Sequence, residues 1–113
     1  MLLCRISGEK EEQGIYIMTS PDGIRWTGPG RQLRPMTQDT QKIAWWDEEM
    51  GKYIVYERVM GERRRAIGRL VMDDIMEPWP TPTPLVLESD EIDPPDSDLY
   101  TSVFYKCPEA EDA

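Results

Sequence analysis

Hydrophobic and polar positions along this chain alternate with a two-residue rhythm in several places. Nowhere do apolar residues recur at helical spacing over three turns behind a capping residue. The clearest alternation is Lys52 to Val59, where Tyr53 and Val55 point one way and Ile54 and Tyr56 the other. Lys42 to Trp46 precedes it, and Asp47-Glu48-Glu49-Met50-Gly51 between them reads as a tight hairpin connection closed by glycine. Gly61-Glu62-Arg63-Arg64 turns the chain again, and Ala66 to Met72 runs back. Upstream, Met1 to Ser7 and Ile15 to Thr19 are strand-like runs around a charged, glycine-bounded loop, Gly8 to Gly14. Ser20-Pro21-Asp22-Gly23 is a turn, because Pro fixes φ and Gly tolerates positive φ. A further short strand is expected at Arg31 to Arg34. Downstream, Pro78, Pro80, Pro82 and Pro84 forbid a central strand, since proline donates no ladder hydrogen bond. Leu85 to Leu87 reads as a short edge strand, Ser89 to Asp98 as an acidic loop, Leu99 to Tyr105 as a final strand, and Pro108 to Ala113 as a polar tail.

The two halves resemble one another. A shift of 51 positions sets Leu3 on Ile54, Ile15 on Ala66, Asp22 on Asp73 and Ile24 on Ile75, and Trp26 meets Trp79 after a short insertion. A shift of 59 sets Asp39 on Asp98, Trp45 on Phe104 and Trp46 on Tyr105. A repeat of about 50 residues with four short strands per unit is the pattern of propeller blades. The expected fold is therefore all-β, built from antiparallel four-stranded blades, about two in one domain spanning 1–113. Blade one, 1–34, lacks its inner strand; blade two spans 42–87; an extra inner strand, 99–105, comes last. An exposed sheet edge invites pairing, so the last strand is expected to complete the partial blade of another copy, giving a homo-oligomer.

Composition narrows the chemistry. The chain has 113 residues, 13 Lys and Arg against 22 Asp and Glu, and a formal net charge of −9. Such a charge repels nucleic-acid phosphates, so a nucleic-acid partner is not expected. No apolar run reaches the length needed to span a membrane as a helix, and no membrane partner is expected. The absence of His rules out a His-based triad and a His-ligated zinc site. Cys4 and Cys107 are too sparse for a disulfide scaffold and are read as free thiols. Arg5 breaks the N-terminal apolar run at once, so the start is read as no secretory signal and the location as cytoplasmic. No phosphate-binding loop, nucleotide-binding glycine pattern or catalytic thiol pair is present, and no cofactor is expected.

Three segments carry a resemblance. Ser20-Pro21-Asp22-Gly23-Ile24-Arg25-Trp26 is similar to the S-x-DG-x-x-W turn of five-bladed β-propeller proteins related to glycoside hydrolases, of the invertase and arabinanase types. Asp39-Thr40-Gln41-Lys42, leading into Ala44-Trp45-Trp46-Asp47 and Gly51-Lys52-Tyr53, resembles the inner hairpin of such a blade, and Asp93-Pro94-Pro95-Asp96-Ser97-Asp98-Leu99-Tyr100 resembles the approach to the next. The resemblance implies carboxylates at the starts of inner strands facing a central funnel, where Asp39 and Asp98 take matching positions as catalytic candidates. A glycosidase needs two carboxyls flanking the scissile bond, about 5–9 Å apart. The chain has no W-x-N-D-P-type nucleophile motif and no Glu-Cys-type acid/base motif, and a complete member would have about five blades. The implied function is carbohydrate binding in a funnel built by several subunits, without efficient hydrolysis by one chain. The alternatives are a structural, self-assembling module with no ligand, and a glycosidase whose site is shared between chains.

Each candidate residue also has a plainer role. Asp39 and Asp98 could instead cap turns through backbone N–H groups. Trp45 and Trp46 are adjacent, so in a strand they face opposite sides: one belongs to the core, and the other stacks on a sugar ring or covers a neighbouring blade. Asp96 joins them as a ligand-binding candidate. Asp90, Glu91, Asp93, Asp96 and Asp98 lack the spacing and glycine of a calcium loop, so a solvated acidic loop is expected and no metal site. Arg63-Arg64-Arg65 either clasps a phosphate or carboxylate or guards a hairpin against strand addition.

Overall fold

The computed structural model describes residues 2–5, 8–28, 30–35, 41–62 and 64–105. They form seven strands, all paired antiparallel, in two sheets. The first sheet has the order β1 (Leu2–Arg5), β2 (Gly14–Ile17), β3 (Arg31–Arg34); a short 3-10 turn, Lys10–Glu12, sits in its first loop. The second has the order β4 (Ile43–Asp47), β5 (Lys52–Met60), β6 (Arg65–Met72), β7 (Leu85–Leu87). The all-β expectation holds.

Local chemistry accounts for the strand ends. The β4–β5 turn is fastened by the Asp47 Oδ1, which accepts the Met50 backbone N–H at 2.9 Å, and by Gly51 at φ 60°, a left-handed conformation that glycine adopts without a Cβ clash. In the β2–β3 loop, Asp22 Oδ1 accepts the N–H groups of Ile24 and Arg25, at 2.9 and 2.8 Å. After β6, Asp74 Oδ1 accepts the Met76 N–H at 2.8 Å. The side-chain oxygen replaces a backbone acceptor in both loops.

Strand register corrects the repeat. Both sheets carry a one-residue bulge, Leu33 of β3 opposite Ile15 and Tyr16 and Val86 of β7 opposite Ile67 and Gly68. Aligning the bulges sets Ile15 on Ile67, Tyr16 on Gly68 and Arg34 on Leu87, while the turn bonds set Asp22 on Asp74. This is one position beyond the alignment of Ile15 with Ala66 and Asp22 with Asp73. One position matters, because a slip of one residue exchanges the faces of a strand.

The sheets pack face to face. Ile15, Ile17 and Leu33 of the first meet Val55 and Leu70 of the second, and Trp79 of the β6–β7 connection, in one buried cluster. Ile54, Tyr56 and Ile67, on the opposite face of the second sheet, form another, with Ile43, Trp45 and Leu99 packed against it. Segment 99–105 is a difference from expectation: within the chain it forms no strand. It lies over that opposite face, held by the Leu99 N–H donating to the Arg65 C=O at 3.1 Å and by Phe104 stacked on Tyr56 at 4.0 Å. A segment on a sheet's face meets side chains, whereas a ladder requires an unpaired edge.

Candidate functional site

The seam between the sheets holds a buried ion pair. Arg34, at the end of β3, is 3% exposed and Glu57, in β5, is 0% exposed; Arg34 Nη1 donates to Glu57 Oε1 at 2.8 Å. Arg34 Nη2 donates to the Pro80 C=O at 2.7 Å and to Thr83 Oγ1 at 2.9 Å, and the Thr83 hydroxyl donates to Glu57 Oε1. Trp79 packs beside them, its ring centroid 5.9 Å from the guanidinium carbon. Its backbone N–H donates to the Leu33 C=O at 2.9 Å and its indole N–H to the Ile75 C=O at 3.3 Å. Arg34 Nε and Glu57 Oε2 have no hydrogen-bond partner among the described residues. This arrangement locks β3, β5 and the 79–83 segment together. Sequence reasoning missed it. Its signal was Glu57 itself, a carboxylate on the same side of β5 as Tyr53 and Val55, where only a paired charge is tolerable.

The acidic candidates divide. Asp39 lies outside the described residues. Asp98 Oδ1 accepts the Arg65 backbone N–H at 3.1 Å, and its Oδ2 accepts Arg65 Nη1 at 2.8 Å. The Arg65 backbone N–H first, then the Arg65 guanidinium, hold the Asp98 carboxyl below its usual range, against partial desolvation. A carboxylate held ionised is not a proton donor at neutral pH, and both oxygens here are engaged. Asp96 is strongly exposed and its Oδ1 accepts Arg64 Nη2 at 2.7 Å. Thus Arg64 and Arg65 each bind a carboxylate, both of them from this chain's own loop. The Tyr100 ring lies between Arg58 and Arg65, with guanidinium carbons 4.8 and 5.0 Å from its centroid. Among the described residues, no three His, Cys, Asp or Glu side chains stand together as a metal site would need.

The tryptophan pair splits across the sheet, as adjacent strand residues must. Trp45 stacks with Tyr56 at 5.5 Å and Phe104 at 5.8 Å, with near-parallel planes. Trp46 is 47% exposed and meets Tyr53 edge-on at 4.9 Å. Beside Trp45 opens a cleft of about 170 Å³, walled by Ile54, Tyr56, Phe104 and Tyr105 with Asp47 and Arg69 at its margin. The buried Trp45 indole N–H has no acceptor among the described residues.

No known protein family, curated protein or solved structure matches the chain. No helix among the described residues is long and apolar enough to cross a membrane.

Proposed function

We propose that the chain is a two-blade unit of a propeller-type ring and that it acts as a self-assembling module. One observation carries this reading. The first sheet ends at β1 with no strand on its outer side among the described residues, while 99–105 is strand-like in sequence and unpaired. A strand edge presents unsatisfied N–H and C=O groups, and an extended segment with its own set is their natural complement. The described carboxylate candidates support the same reading, because Asp96 and Asp98 are held by Arg64 and Arg65. Size-exclusion chromatography with light scattering tests it. The expected result is an oligomer that truncation after Asp98 dissociates; a wild-type chain that stays monomeric at every concentration overturns the reading.

The cleft beside Trp45 favours a second role, binding of a saccharide ring. An aromatic wall with Asp47 and Arg69 among its lining residues suits a ring with an apolar face and hydroxyl edges. Titration with mono- and oligosaccharides, followed by Trp fluorescence, is expected to give saturation that Trp45→Ala removes. Release of reducing sugar in the same mixtures, lost in Asp39→Ala, would mark a glycosidase site shared between chains. No saturation and no release would leave assembly alone.

A further inference from the structure

The internal seam contains a template for the contact between copies. We infer that the face of the second sheet bearing Ile54, Tyr56 and Ile67 receives the first sheet of a second copy, in the arrangement that already joins the two sheets within one chain. This deepens the assembly reading and rests on it.

The register supplies the correspondence. Aligned by their bulges, Leu33 corresponds to Val86, Arg34 to Leu87 and Leu3 to Glu57, and the same offset between β3 and β7 sets Trp26 on Trp79. Within the chain, Trp79 is 4% exposed and its N–H reaches the Leu33 C=O. Trp26, in the equivalent loop, is 39% exposed. Val86 and Leu87, equivalent to the Leu33 and Arg34 that contact Trp79, are exposed, as is Leu85, and strand β7 has no neighbour beyond it among the described residues. Both halves of a second seam are therefore present on one chain, on different sheets: Val86 and Leu87 stand open on one and Trp26 on the other, while Ile54, Tyr56 and Ile67 lie beneath Leu99 and Phe104 of the 99–105 segment.

The charges change together. The positions that hold the buried Arg34–Glu57 pair in the internal seam are Leu87 and Leu3 in the repeat. A single exchange would leave one buried charge unpaired, which is strongly destabilising, whereas exchanging both for apolar residues is tolerated. In the sequence both register positions are leucine, the paired apolar exchange. Segment 99–105 lies on the receiving face, so it stands where the open β1 edge of the incoming copy would arrive.

The contact joins unlike surfaces, the second sheet of one copy and the first sheet of the next. Such heterologous contacts repeat head to tail and close into rings when the rotation allows. An isologous dimer, with identical patches facing, does not follow.

The test uses the full chain in native mass spectrometry and light scattering. Trp26→Ser and Leu87→Arg each change an exposed residue, so the fold of the single chain is retained, as circular dichroism would check. Each is expected to weaken assembly by about tenfold or more, as loss of a central aromatic anchor or burial of an unpaired charge does. In a mixture of Leu87→Arg with Leu3→Glu chains, mixed species should exceed either homo-oligomer, because the internal ion pair is recreated between copies. Oligomers that persist unchanged in both Trp26→Ser and Leu87→Arg would overturn this seam while leaving assembly standing. A monomeric wild type would overturn both, and an isologous dimer would overturn the seam alone.

Discussion

The first and second sheets share strand order, a bulge and an Asx-type turn, yet their tryptophans have different fates. Trp79 sits in the interior, bonded through its backbone to Leu33, while Trp26 stands in the equivalent loop in contact with water. The second sheet also has a fourth strand and an aromatic cover from 99–105; the first has neither among the described residues. Similar local sequence thus produced similar local backbone, and the presence of a neighbouring sheet determined what became core. Burial of an aromatic side chain is a property of the pair of surfaces, not of the turn that presents it.

The sharpest break of this comparison is alanine at each tryptophan. Trp79→Ala is expected to destabilise the chain by about 3–5 kcal/mol, the range for emptying a buried indole site. Trp26→Ala, measured at dilution where copies are apart, should cost no more than about 0.5 kcal/mol, as for surface substitutions. Urea denaturation followed by circular dichroism checks both. Equal losses would mean that the two loops do the same work within one chain.

Next in size is the ion pair of the seam. Glu57→Ala should cost about 3 kcal/mol, at the low end for breaking a buried pair, because the Thr83 hydroxyl and the Pro80 carbonyl remain near Arg34. Replacing Arg34 and Glu57 together with leucine should bring the unfolding free energy from urea denaturation back to within about 1 kcal/mol of wild type. A double variant as unstable as the single one would show that the seam needs its charges, and would remove the parallel with Leu87 and Leu3.

A smaller effect is expected at the aromatic cover. Phe104→Ala should lose about 1 kcal/mol, the scale of a stacked aromatic pair on a partly open surface. The near-ultraviolet circular dichroism of Trp45 and Tyr56 should weaken with it. An unchanged signal would mean that 99–105 does not rest on the second sheet in solution.

Much of the fold was legible because alternation and turn chemistry are local. Lys52 to Val59 announced β5, and the acidic stretch closed by Gly51 announced the turn before it. The repeat was visible too, but its register was not, since Asp22 matches Asp73 and Asp74 equally well by side-chain type. Only the ladder, with a bulge at the same place in both sheets, distinguishes them. The Arg34–Glu57 pair was out of reach for a different reason: its members are far apart in sequence, and nothing local marks Arg34 as buried. The site candidates were half legible. Spacing placed Trp45 and Trp46 on opposite faces, while the partners of Asp96 and Asp98 depended on a hairpin folding back to meet an acidic loop.

The smallest effects lie in the acid limb of stability, and they compare Asp22 beside the first sheet with Asp98 beside the second. Both carboxyls are held below their usual value of 3.8, Asp22 chiefly by the backbone N–H groups of Arg25 and Ile24, and Asp98 chiefly by that of Arg65. A carboxyl whose pKa is lower in the folded chain binds protons more weakly there than in the unfolded chain. Its stabilisation is complete above the unfolded value and declines as pH falls through the folded one, from about pH 4 downward. Asp22→Asn and Asp98→Asn should each flatten part of that decline while leaving its shape near neutrality unchanged. The Asp98 variant should also loosen 99–105, since it removes the charge that Arg65 meets, so its near-ultraviolet signal should fall while that of the Asp22 variant holds. If the two variants affect that signal alike, the Arg65–Asp98 contact does not anchor the segment, and the contrast between a covered second sheet and an open first one loses one of its supports.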